Sequence, residues 1–216
     1  MKKKKEKPIG VEPISGSKKN NVKLGLWKKV SKVFGISGKI GSGKTTLADY
    51  LETKNDFKQF TFAKNIKKVT AIITDTSMEK NLVERSFKPK FDGFEGKTLS
   101  QLHVEIGEII RFKYSSSVWI NSIWSKINKY VQKERCIVVS DVRTELEAEW
   151  LKKEYNAIII RLERPKKFRE KFFRGRNPDS NIECALDNYD RFDHVIQNDK
   201  EDLEDLYKNF EKLNVS

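Results

Sequence analysis

Residues 38–46 read GKIGSGKTT. Three glycines (Gly38, Gly41, Gly43) crowd one cation, Lys44, with Ser42, Thr45 and Thr46 supplying hydroxyls. So little side chain beside one positive charge suits a polyphosphate, because glycines let the backbone curl until successive N–H groups face phosphate oxygens. The spacing fits G-x-x-x-x-G-K-[ST] at Gly38, Gly43, Lys44 and Thr45. In that reading residues 38–46, Lys39 included, cradle ATP. Lys44 reaches the β- and γ-phosphates, the Thr45 hydroxyl ligates Mg2+, and Thr46 donates to the α-phosphate. The alternative is a glycine turn with an accidental lysine, and average residue frequencies make that match rare, in well under ~1% of chains this long.

Two further stretches carry chemistry. Asp141 ends the stretch Ile137-Val-Val-Ser-Asp141, and Arg143 comes two residues later. An aspartate there serves as a second Mg2+ contact through water, or as a cap for the following helix. Residues 161–177, RLERPKKFREKFFRGRN, hold eight Lys or Arg and two Glu. Such a segment closes over a phosphoryl group in transfer and excludes water, or it is a solvated basic loop or nucleic-acid patch.

The elements that must position these residues are short apolar runs alternating with amphipathic stretches. Val33–Ile36 reads as a buried strand entering the glycine loop, and Leu47, Tyr50 and Leu51 as the helix leaving it. Phe57–Phe62, Cys136–Ser140, Ala157–Ile160 and His194–Ile196 read as further strands. One helical stripe comprises Leu99, Leu102, Ile106, Ile109 and Ile110. Others comprise Ile120, Ile123, Trp124, Ile127 and Val131, then Val142, Leu146 and Trp150, and finally Leu203 to Leu213 with Asp199 as cap. Residues 75–98 show no period and read as a long loop. Strands alternating with helices imply a parallel sheet covered on both faces, with ligands at the C-terminal strand ends.

The chain has 216 residues and a formal net charge of +13. Residues 1–34 hold eleven lysines and two glutamates, so most of the excess lies in one terminal segment. Residues 1–22 read as a disordered basic tail and 23–216 as one domain. The tail is either a solubilising arm or a localisation or nucleic-acid-contacting arm. No apolar run approaches the ~20 residues of a membrane helix, and no apolar stretch follows the first lysines as in a secretory signal. Cys136 and Cys184 stand far apart without metal-ligand spacing, as expected of reduced thiols in an intracellular protein.

Over most of residues 33–213 the sequence resembles the P-loop deoxynucleoside monophosphate kinases of phages and large DNA viruses. The residues that carry the likeness are the glycine loop, Phe62-Ala63-Lys64-Asn65-Ile66-Lys67, the Gln101, Gly107 and Arg111 region, Trp119, the strand end at Asp141-Val142-Arg143, and Phe192-Asp193-His194-Val195-Ile196-Gln197-Asn198-Asp199. The resemblance implies a three-layer α/β P-loop kinase: a five-stranded parallel sheet, a helical substrate-binding insertion between the second and third strands, and a basic lid before the last strand. It implies phosphoryl transfer from ATP, with Mg2+, to a (deoxy)nucleoside monophosphate in the cytoplasm, that of an infected cell where the source is a virus. The sequence departs from the family at Ser180 and Ile182, where a His and a Ser often precede the glutamate matching Glu183. It departs again at Leu146-Glu147, where the family favours Asn-Glu.

Lys44, Asp141, Arg143, Arg169, Arg174 and Arg176 are the expected catalytic residues. Lys67, Gln101, Gly107, Arg111, Trp119, Arg143 and Glu183 are the expected substrate contacts. Gly107 sits inside a helix, where it costs about 1 kcal/mol relative to Ala. Either a packed helix or a substrate must therefore approach it closely. Trp119 is open between core packing and substrate contact. The rival readings are another small-molecule P-loop kinase, of phosphomevalonate or dephospho-coenzyme A type, and an ATP-regulated protein that binds nucleic acid through the tail. The expected partner is a nucleoside monophosphate, with no membrane and with nucleic acid only through the tail. Monomer and homodimer both stay open.

Overall fold

The computed structural model describes residues 31–83, 86–90, 93–94, 96–173, 177–200 and 202–213. The tail expected over residues 1–22, the next eight residues, and Arg174 and Arg176 lie outside these described residues.

Among the described residues five strands form one all-parallel sheet in the order β2-β3-β1-β4-β5. They are β1 (Val33–Ser37), β2 (Lys58–Phe60), β3 (Ile137–Val142), β4 (Ile158–Glu163) and β5 (His194–Gln197). β1 is central and wholly buried, pairing with β3 on one side and β4 on the other. Its residues alternate between two cores, as the two-residue period of a strand requires. Phe34 and Ile36 face α1 (Lys44–Lys54) and α9 (Leu203–Glu211), packing with Leu47, Leu51, Leu206 and Phe210. Val33 faces the second core with Val139, Leu151 and Ile159. A Cβ at Gly35 would lie 2.6 Å from Ile159 Cδ1 and 3.1 Å from Leu151 Cδ1, so this glycine serves close packing of a helix on the sheet.

The insertion between β2 and β3 consists of α2 (Ala63–Ile73), α3 (Met78–Val83), α4 (Leu99–Lys113) and α5 (Val118–Val131). α4 opens on a capping box in which Thr98 and Gln101 exchange hydrogen bonds. The same device, from Thr144 and Glu147, opens α6 (Glu145–Tyr155). After β4 come α7 (Lys166–Arg169) and a 3-10 turn (Glu170–Phe172), then α8 (Asn181–Cys184).

Several sequence expectations change here. α2 is an added helix that the apolar reading did not include, with Ile66 and Ala71 buried and Ile72 and Ile73 facing solvent. α3 interrupts the expected loop at 75–98. Trp124 is 48% exposed, while Ile120, Ile123 and Ile127 carry the α5 core stripe. Val142 ends β3, so it belongs to no helical stripe. The last helix is capped by Asp202, whose carboxylate accepts from Glu204 N–H, and not by Asp199. Among the described residues no helix is long and apolar enough to cross a membrane.

Candidate active site

The C-terminal ends of β1, β3 and β4 open on one cleft of about 510 Å3. One end is the glycine loop. Gly38, Gly41 and Gly43 all adopt positive φ, which only glycine takes without strain. A Cβ at Gly43 would come within 2.7 Å of Asn198 Nδ2, and one at Gly41 within 3.0 Å of both Arg169 O and Phe172. The loop is thus pinned from two sides. Asn198, just past β5, donates to Ser42 O at 2.9 Å. Gly41, Gly43, Lys44, Thr45 and Thr46 line the cleft. The first-turn N–H groups of α1 have no acceptor within the helix and carry its positive dipole end. Lys44 is buried and arches over the loop, donating to Gly38 O and, at 2.9 Å, to Lys39 O.

Gly38, Lys39 and Ser42 shape the loop from behind and do not line the cleft. Lys39 pairs with Asp187 at 2.6 Å, and this contact raises its pKa. Lys39 is expected among the residues that cradle ATP, but only its backbone stays in the loop, since Asp187, which also holds Arg161, draws its side chain away. The Ser42 hydroxyl is buried and has no hydrogen-bond partner among the described residues.

The other end of the cleft is ionic. Arg111, from α4, donates to Glu147 Oε1 at 2.8 Å. Glu147 Oε2 accepts the backbone N–H groups of Arg143 at 2.8 Å and Thr144 at 3.1 Å. Arg143 pairs with Glu183, whose second oxygen accepts from Ile40 N–H at 2.8 Å. An alternating chain Arg111–Glu147–Arg143–Glu183 thereby crosses the cleft floor and ends on the glycine loop. Burial pushes the Glu147 carboxyl up, offset in part by Arg111. Burial would also raise Glu183, but Arg143 and Lys44 outweigh it and hold it below the usual carboxylate range. For Arg143, burial works against the charge and Glu183 restores it, leaving its pKa raised.

Asp141 lines the cleft, but its two oxygens also accept Phe62 and Ala63 N–H, each at 2.8 Å. It therefore clamps the start of α2 to the end of β3. Lys67, Gln101 and Gly107 line the cleft as well. Gly107 has Ile66 of α2 3.2 Å from where its Cβ would be, so helix packing accounts for the glycine. Trp119 is 4% exposed, lies in the core and donates its indole N–H to Gly107 O at 3.0 Å. Its expected substrate contact is corrected, because its ring is spent on packing α5 to α4. Arg169 is likewise corrected. It is buried outside the cleft lining, donating to Arg164 O at 2.8 Å and Ile40 O at 3.3 Å, so it braces the glycine loop.

Two of the charged cleft residues that received no role in the sequence analysis belong to this arrangement. Glu147 is named there only in the Leu146-Glu147 pair, and the Thr144 capping box was its signal. Arg164 follows directly on β4, lines the cleft and keeps a buried Nε without a partner among the described residues. Its place at a strand end was the signal.

No family model matches the sequence, and no curated protein matches it. Solved structures do align. A sugar kinase from Janibacter sp. HTCC2649 is 15% identical with a TM-score of 0.49, covering 86% of this chain and 96% of its own. Shikimate kinase from Acinetobacter baumannii in complex with shikimate is 14% identical at 0.47, covering 86% and 93%. Dephospho-CoA kinase from Campylobacter jejuni is 16% identical at 0.45, covering 85% and 96%. At these identities and scores, the chemistry of the cleft rests on its own geometry.

Proposed function

We propose that the chain transfers the γ-phosphoryl group of ATP to a (deoxy)nucleoside monophosphate, giving the diphosphate. The observation that carries this is the two-ended cleft: a glycine loop opening a helix at one end, and Arg111 and Arg143 at the other, each held by a buried carboxylate. The loop suits the triphosphate, and a pair of oriented guanidiniums suits a second anionic phosphate.

The acceptor's own phosphate oxygen is the nucleophile. It forms a bond to the γ-phosphorus as the bond to the β,γ-bridging oxygen breaks, so no general base is needed. Catalysis is then positioning and charge neutralisation. Lys44 and Arg164 would face the transferring group from the donor side, with Arg174 and Arg176 expected beside them. Arg111, Arg143 and Lys67 would hold the acceptor. The cleft residues fit Mg2+, since the Thr45 hydroxyl and the Asp141 carboxylate both line it, with Asp141 acting through water. Bound there, the ion would neutralise charge on the β- and γ-phosphates.

The test is ADP release from ATP with each nucleoside monophosphate in turn, set against phosphomevalonate and dephospho-coenzyme A. Release with at least one monophosphate supports the reading. Release with only one of the other two acceptors would assign the chain to a different small-molecule kinase class.

A further inference from the structure

A second cavity lies on the far side of the edge strand β2, away from the glycine loop. It is a groove of about 920 Å3 between β2, the start of α2 and the length of α5. Its lining holds six cations, Lys58, Lys64, Lys126, Lys129, Lys133 and Arg135, against the single carboxylate Glu52. Lys58 pairs with Glu52 at 2.5 Å and Arg135 with Asp56 at 3.1 Å. The other four lysines are exposed. α5 presents Lys126 and Lys129 at helical spacing, and Lys133 follows in the turn after the helix. Between the cations lie two half-buried rings, Phe60 and Tyr130, packed edge to face with centroids 5.5 Å apart.

The N-terminal segment joins the fold beside this groove. Ser31 donates its hydroxyl to Val131 O at 3.3 Å, next in sequence to Tyr130, and Ile137 N–H donates to Lys32 O at 2.9 Å. The thirty residues before this junction carry ten lysines and two glutamates. A segment of the same charge as the groove is repelled as its occupant. A polyanion is attracted by both.

We propose that this groove binds single-stranded nucleic acid, the lysines tracking its phosphates and Phe60 and Tyr130 offering ring surface to its bases. A cationic groove with interleaved aromatic rings is the arrangement that binds single strands with little sequence preference. A duplex keeps its bases stacked inside and gains nothing from the rings. An acidic protein surface would meet the lysines alone. The groove shares only Thr61 with the phosphoryl-transfer cleft, and none of its lysines lines that cleft.

The test is fluorescence anisotropy of the full chain with a labelled oligothymidylate, titrated across a salt series. The comparison is with the triple variant Lys126→Glu, Lys129→Glu, Lys133→Glu. A second variant keeps the groove but changes the tail, with Lys2, Lys3, Lys4, Lys5 and Lys7 each replaced by Gln. Thermal melting checks that each variant folds. The groove variant is expected to lose about tenfold or more in affinity, and the steepness of its salt dependence to fall by about 2, near 0.7 for each lost phosphate contact. The tail variant should weaken binding less and keep the loss caused by the groove changes. Binding that the groove variant leaves intact and the tail variant abolishes would overturn the proposal. So would duplex DNA or polyglutamate binding as tightly as the oligothymidylate.

Discussion

The two ends of the cleft are built in opposite ways. On the proposed reading the donor end is nine consecutive residues, in which three glycines free the backbone to curl and Lys44 and Thr45 supply the side chains that act. The acceptor end is four charged side chains from α4, β3 and its following loop, α6 and α8, each useless alone. Arg111 and Glu147 are 36 residues apart and Arg143 and Glu183 are 40 apart. A backbone site can be written into one short stretch of chain. A side-chain site needs each charge held by a partner that burial has stripped of water, because an unheld buried charge is costly.

That contrast predicts different kinds of damage. Lys44→Ala should lower turnover by about a thousandfold or more, since a preorganised cation aimed at the transferring phosphate is lost. The melting temperature should change far less than the turnover, since the bonds Lys44 makes to Gly38 O and Lys39 O lie within its own loop. A variant of near-normal activity would refute the donor assignment. Glu147→Ala should instead cost about 3 kcal/mol of folding stability, as it leaves the half-buried Arg111 without its carboxylate and the N–H groups of Arg143 and Thr144 without an acceptor. It should also raise the KM for the acceptor far more than that for ATP. Denaturant melts and paired KM measurements check both halves, and an equal rise in the two KM values would show that the ends are not separable. Gly43→Ala combines the two kinds of damage on a smaller scale. Its Cβ would press on Asn198 at positive φ, so ATP affinity and stability should fall together.

The subtlest consequence is in pH. The Glu183 carboxyl is held low in the folded chain, so the stability it adds is full above the ordinary carboxylate range. It is lost as pH falls through the lowered folded value. Wild type and Glu183→Gln should therefore differ in melting temperature at neutral pH and converge in acid. A gap that stays constant down to the acid limb would remove Glu183 from the account.

The sheet, the loop and most helices were legible because they follow from local pattern. Val33–Ile36 carries no polar side chain because both faces of the sheet are covered, and the glycine loop can be read residue by residue. What stayed hidden is instructive at Arg169 and Trp119. Their residue types suit a substrate, yet Arg169 satisfies its guanidinium on Ile40 and Arg164 carbonyls, and Trp119 spends its N–H on Gly107. Asp141 shows the intermediate case. Its position at a strand end was readable, but its hold on the first amides of α2 was not.

The physical reason lies in what each feature depends on. Backbone conformation near a glycine, strand alternation and helix caps are set by neighbours within a few residues, so the order of amino acids was enough to specify them. Which arginine meets which carboxylate depends on where the chain returns after some 40 residues. It depends also on how much water the returning segment displaces. The folded chain alone sets both, and with them the difference between a brace such as Arg169 and a group facing the cleft such as Arg164.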